Sequence, residues 1–179
     1  MILLIHGPTH TGKTYVAQKV LETFKYPYLS IDHLKMGLIR SKYTHLKPSD
    51  SIYDLTNEIW PILREIIKTA IENQQNLVVE GCYLPFDFAK DFDVKYLKHI
   101  SYLCLLFQDT YIKNHYQDII NHQSVVEKRI SEDLTMQNLI KENDYFTKQV
   151  NIHALNHFII KDLYDIDEIL KKIKSDVAL

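Results

Sequence analysis

Apolar residues fall along this chain in two spacings. Short continuous runs at residues 2–5, 77–79 and 102–107, with weaker ones at 28–31 and 157–160, are bounded by turn or polar residues. Runs of this length predict strands buried on both faces, as in a parallel sheet. Between them the apolar positions recur every three or four residues, the spacing of amphipathic helices. Helices are predicted from Lys13 to Phe24, from His33 to about Arg40, from Ser51 onward on Ile52, Leu55, Ile59, Ile62, Ile66 and Ala70, and at the end on Ile166, Ile169, Leu170 and Ile173. Ser51 and Asp54 have the spacing of a capping box, and Pro61 is expected to kink or split the helix that follows. Residues 110–150 carry polar helical patterning for two or three helices, with a second capping-box spacing at Ser124 and Glu127. Strands alternating with helices predict a three-layer α/β/α fold around a five-stranded parallel sheet.

With 179 residues the chain is predicted to be a single domain, and no linker, repeat or low-complexity segment divides it. Hydrophobic residues at 46% and charged residues at 25% exclude a disordered or fibrous chain. The net charge of -2 supplies no general field for nucleic acid or anionic membrane, so neither is expected as a partner. Cys82 and Cys104 lack metal-ligand spacing and could form one disulfide at most. Five apolar residues before His6 are too few for a signal peptide or a membrane span, and the expected compartment is the cytoplasm. Arginine is scarce: only Arg40, Arg64 and Arg129.

Gly7-Pro8-Thr9-His10-Thr11-Gly12-Lys13-Thr14 matches GxxxxGK[ST] and stands between a predicted strand and a predicted helix. Two glycines let such a loop fold so that backbone N–H groups converge on phosphate, and the helix that follows adds its positive end. Lys13 is placed for the terminal phosphates of a nucleotide and the Thr14 hydroxyl for Mg2+. His10 at the loop tip is open to two roles, a solvated bystander or a substrate contact. His6 is expected to pack at the strand end. After Pro85 no Gly or Pro follows for 94 residues, so no second glycine loop of this kind is available.

On this loop the chain resembles the P-loop kinases of small molecules, the group that includes adenylate kinase, shikimate kinase, chloramphenicol phosphotransferase and the zeta toxins. The resemblance extends to strand order and length, but only the loop is specific at the residue level. It implies ATP and Mg2+ as ligands, a small-molecule acceptor, and a helical lid over about residues 110–150. It also implies an acid at the end of the second strand, where Ser30-Ile31-Asp32 places Asp32 to orient or deprotonate an acceptor hydroxyl. The alternative for Asp32 is the N-cap of a helix starting at His33. Val78-Val79-Glu80-Gly81 is similar to the strand-acid-Gly segment of such kinases, and Glu80 could serve Mg2+ through water or bind the acceptor. Arg129 is the candidate lid cation for the transferring phosphoryl group, with pairing to Glu132 or Asp133 as its alternative. Arg40 is a candidate contact for an anionic acceptor. Tyr83, Phe86, Phe88 and Phe92 could wall an acceptor pocket or belong to the core.

The function these residues predict is an ATP-dependent phosphotransferase acting on a metabolite, a sugar, or a nucleoside or nucleotide. A nucleotide-binding switch or slow NTPase is the alternative, weakened by the absence of NKxD and DxxG and by the poor match of Phe107-Gln108-Asp109 to a strand ending in two acids. A kinase of nucleic-acid ends or of a sugar nucleotide would share the same residues.

Overall fold

A computed structural model of the protein describes residues 1–122 and 134–177. Strand β1 (Ile2–His6) lies at the centre of a five-stranded sheet, between β3 (Leu77–Gly81) and β4 (Ile100–Phe107). Strands β2 (Tyr28–Ser30) and β5 (His157–Ile160) form the edges, and every pairing is parallel. The order β2-β3-β1-β4-β5 reverses direction at β1, which places the carboxyl ends of β1 and β3 at the switch point where sheets of this kind bind ligands.

Side chains on a strand point alternately to its two faces, and β1 is buried on both. Ile2 and Leu4 join a core with α2 (Ile31–Arg40), α3 (Ile52–Glu72), the short α4 (Val94–Leu97) and the end of α6 (Met136–Ile152). Leu3 and Ile5 join the opposite core, built by Val16, Ala17 and Val20 of α1 (Lys13–Phe24) and Ile169 and Ile173 of α7 (Ile166–Val177). A third cluster joins Phe107 and Ile160 to Tyr111, Ile112 and Ile119 of α5 (Asp109–His122) and Leu139 of α6. The expected three layers and five parallel strands are present.

Several local expectations require correction. Helix α3 runs through Pro61 without a break. Pro61 lies on the exposed side, and the carbonyl of Asn57 that loses its N–H partner belongs to an exposed residue that water can serve. The buried face of α3 is Leu55, Ile59, Trp60, Leu63, Ile67 and Ala70, whereas Ile52 and Ile62 are exposed. Ser51 caps that helix as expected: its Oγ accepts from Asp54 N–H at 3.1 Å and donates to the Asp54 carboxylate at 2.7 Å. Helix α2 starts at Ile31 with Ser30 as N-cap, so Asp32 sits inside the first turn and is not the cap. The cap at Ser124 and Glu127 falls outside the described residues; α6 is capped instead by Thr135, whose hydroxyl accepts from Asn138 N–H.

Within 110–150, α6 belongs to the body of the molecule. Phe146 is fully buried against His6 and Phe86, and Asn143 is buried at the end of β4. Its carboxamide accepts from Phe107 N–H at 2.8 Å and donates to Phe107 C=O at 2.7 Å. Among the described residues no helix is long and apolar enough to cross a membrane.

Candidate functional site

Helix α1 begins on Gly12, whose φ of 78° is the left-handed conformation that glycine adopts without steric cost. A side chain there would also collide with Tyr164, since a Cβ would lie 2.2 Å from its hydroxyl oxygen. His10 is held left-handed as well, at φ 64°, a strained state for a residue with a Cβ. The first turn of α1 carries no acid and Gly12 no side-chain cap, so its leading N–H groups stand ready for an anion. Thr11 and Lys13 brace the loop from within: Thr11 Oγ1 donates to Pro8 C=O at 2.9 Å and Lys13 Nζ to the same oxygen at 2.7 Å. Lys13 is buried beneath the loop.

The loop is held from two distant parts of the chain. The Tyr164 hydroxyl donates to Thr11 C=O at 3.2 Å, tying the segment after β5 to the loop. On the other side, Glu142 of α6 accepts from Thr9 N–H at 3.0 Å and from Thr9 Oγ–H at 2.5 Å.

A cavity of about 550 Å³ opens at the carboxyl ends of the strands. Its lining brings together His10, Gly12, Lys13 and Thr14 of the loop with Asp32 and Glu80, all singled out by sequence. Asp32 is held by Lys35, whose Nζ donates to Asp32 Oδ1 at 2.6 Å and to the Tyr83 hydroxyl at 2.9 Å and lies over the Tyr83 ring. Burial acts to lower the Lys35 pKa, but the bonds to Asp32 and Tyr83 outweigh it and raise the value. The Tyr83 hydroxyl is likewise raised, chiefly by burial. Of the four aromatics after Glu80, Tyr83 thus belongs to the acid at the site. Phe88 and Phe92 are buried in the core, and Phe86 packs on His6 and Phe146.

Glu80 is buried at the end of β3, in register with Ser30 of β2 and Ile5 of β1. Thr14 and Glu80 line the same cavity, a hydroxyl and a carboxylate that suit Mg2+, an ion that keeps waters and shares phosphate oxygens. Among the described residues no three His, Cys, Asp or Glu side chains converge on one point.

His6 behaves as the sequence suggests. It is fully buried, and since a carbonyl only accepts, its Nε2–H donates to Cys82 C=O at 3.2 Å while Nδ1 takes the Tyr102 hydroxyl at 2.7 Å. Burial pushes its pKa down to about 3, so the ring is neutral. Cys82 and Cys104 are free and buried, not disulfide-bonded. Burial raises the Cys82 thiol against the pull of Lys13, with Glu142 and Asp32 adding to the rise, so three charged groups of the site act on this one sulfur.

The outer wall of the cavity is aromatic. Phe107 stacks on Tyr111 with centroids 5.0 Å apart and Tyr111 on His115 at 4.5 Å, while Leu163, Tyr164 and Ile166 face them from the segment after β5. Of the two arginines singled out by sequence, the one that is described is not part of this assembly. Arg40 is the exposed last residue of α2, about 12 Å along the helix from Asp32 and absent from the cavity lining. Arg129 lies outside the described residues. Residues the sequence reading missed are Lys35, Glu142 and Asn143; the loop around Lys161 to Tyr164 is expected from sequence as a place for adenine, but not the bond of Tyr164 to the phosphate loop. Lys35 alone left a signal, its i,i+3 spacing from Asp32.

No family model matches this chain, and no curated protein matches it in sequence. Solved structures do match along nearly its whole length. A gluconokinase from Sinorhizobium meliloti 1021 aligns over 98% of this chain and 90% of its own, at 15% identity and a TM-score of 0.59. A shikimate kinase from Aquifex aeolicus aligns over 99% and 96%, at 11% identity and a TM-score of 0.58. A tunicamycin resistance protein from Deinococcus radiodurans aligns over 99% and 96%, at 12% identity and a TM-score of 0.62. At these identities the likeness is one of fold: the chain has the α/β fold of the P-loop small-molecule kinases.

Proposed function

We propose that the protein is an ATP-dependent phosphotransferase that moves the terminal phosphoryl group of Mg-ATP to a hydroxyl of a small-molecule acceptor. The observation that supports this reading best is that Lys13, Thr14, Asp32 and Glu80, from three parts of the chain, line one cavity at the switch point of the sheet. The phosphate loop and the start of α1 bind the phosphates, and Lys13 neutralises charge on the oxygens of the transferring group. Asp32, held in place by Lys35 and Tyr83, orients the acceptor hydroxyl and takes its proton. The acceptor oxygen bonds to the terminal phosphorus as the bond from that phosphorus to the bridging oxygen breaks, and ADP leaves. Mg2+, bound through Thr14 and near Glu80, would offset charge on the phosphates. Most of the acceleration in such a reaction comes from positioning and charge.

On the acceptor side the charges of Asp32 and Lys35 cancel, and the described lining adds no cation beyond Lys13. This suits an uncharged acceptor, a sugar, nucleoside or small metabolite, rather than one that already carries phosphate. Arg40 would meet only an acceptor long enough to reach the far end of α2, and Arg129 remains our candidate for the lid cation.

The test is ADP production from Mg-ATP by wild type and Lys13→Ala, with and without pooled nucleosides, monophosphates, sugars and small acids. Acceptor-stimulated turnover that Lys13→Ala abolishes is the expected result. Tight ATP binding with no stimulation by any pool would favour a switch or slow NTPase instead. Lys35→Met then separates the two halves of the site. It should lower kcat/KM for the acceptor by about 10- to 100-fold, the span of a lost positioning contact, and leave ATP affinity unchanged.

A further inference from the structure

The phosphate loop is approached by a second anion that the reaction proposed above does not use. Both oxygens of the Glu142 carboxylate accept from one loop residue, the N–H and the hydroxyl of Thr9. That is how two oxygens of a phosphate would be held by a loop of this kind. Glu142 cannot drift freely from this position. The next residue on α6, Asn143, is buried and bonds both backbone groups of Phe107, and Phe146 one turn on is fully buried, so the register of the helix against the loop is fixed. Glu142 is half-buried where it meets the loop. Lys13 is the one lysine or arginine among the described residues that line the cavity.

We propose that Glu142 is an internal competitor of phosphate at this loop, a positioning residue that holds Thr9 while the site is empty and opposes the charge of a terminal phosphoryl group when a nucleotide arrives. The proposal rests on the nucleotide-binding reading of the loop. Two anions then share a loop whose described lining carries one cation, Lys13. The cost of bringing them together grows with the number of phosphates, so Glu142 lowers affinity most for triphosphates and least for monophosphates. The clasp stabilises the empty loop, and the same contact weakens its hold on ligand.

The test is calorimetric binding of Mg-ATP, Mg-ADP, AMP and inorganic tripolyphosphate to wild type and Glu142→Gln, with thermal unfolding of both proteins without ligand. Gln keeps the size of the side chain and removes the charge. We expect ATP and tripolyphosphate to bind about tenfold more tightly to the variant, the order for one unit charge a few ångströms away at partial screening, with a smaller gain for ADP and none for AMP. We also expect the ligand-free variant to melt a few degrees lower, because a charged hydrogen-bond acceptor has been lost. ATP binding that is unchanged or weaker in a folded variant overturns the proposal and leaves Glu142 as a structural brace. If neither protein binds any nucleotide, the nucleotide reading itself fails, which is a different result. Should Glu142→Gln not fold, Glu142→Asp withdraws the same charge by one methylene. It should then bind ATP about threefold more tightly than wild type, and equal or weaker binding refutes the proposal.

Discussion

His6 carries a stability cost that a change of pH should expose. The ring is wholly buried between Phe86, Tyr102 and Phe146, and both nitrogens are used by neutral partners, the Cys82 carbonyl and the Tyr102 hydroxyl. Its pKa is pushed down to about 3, first by burial and further by the charge of Lys13, while an unfolded histidine titrates near 6.5. Between those values the unfolded chain binds one proton that the folded protein refuses. The contribution is fully present above pH 6.5 and is lost as the pH falls toward 3, at up to about 1.4 kcal/mol per pH unit. From pH 7.5 to 5.0 the loss from this residue is about 2 kcal/mol, a large share of an ordinary domain's stability. Urea unfolding of wild type and His6→Gln at the two pH values measures it. Gln can donate to the Cys82 carbonyl and accept from Tyr102 without titrating. Carboxylates held below their usual range, such as Asp87 with Lys90 and Asp176 with Lys172, also weaken the fold in acid. They are common to both proteins and cancel in the difference. Wild type should lose about 2 kcal/mol more than the variant on acidification. Equal losses would refute the claim that His6 is buried neutral.

Two further substitutions test what holds the phosphate loop and α6. Gly12→Ala places a Cβ in a left-handed backbone, at about 1–2 kcal/mol, and pushes Tyr164 off Thr11; together these should cost about 2–4 kcal/mol and lower Tm by about 5–15 °C. Adding Tyr164→Phe should recover part of that loss, since the hydroxyl is the nearest obstacle, and a purely additive double mutant would count against the contact. Asn143→Leu strips partners from the buried N–H and C=O of Phe107 and should cost about 2–5 kcal/mol, with faster amide exchange at Phe107. Loss of stability without faster exchange there would point to packing instead.

What could be read from the sequence was the chemistry that is local in the chain. The eight residues from Gly7 to Thr14 carry their function in their spacing, and the apolar runs around them have the length that a buried parallel strand needs. Asp32 and Glu80 were legible because strand ends in such a sheet converge on one edge. The face of α3 was misread in part because an isoleucine at helical spacing looks the same whether it points at the core or, like Ile62, at water. Glu142, Asn143 and the loop contact of Tyr164 were out of reach for a different reason. The three residues meet Thr9, Phe107 and Thr11 across 133, 36 and 153 residues, and along the chain they read only as polar residues on a helix or a loop. Tertiary contact gives them their roles.

The central place of β1 bears on how the chain acquires its structure over time. Ile2 is paired with Leu77 on one side and Ile100 on the other, so β1 precedes its two neighbours by 75 and 98 residues. During synthesis the segment that will cradle phosphate emerges long before anything it can pair with. Until β3 and β4 follow, its apolar run has no sheet to enter and presents a sticky surface to other chains. The phosphate loop thus precedes the strands that frame it, and a growing chain stalled before residue 100 would carry the loop's sequence without its form.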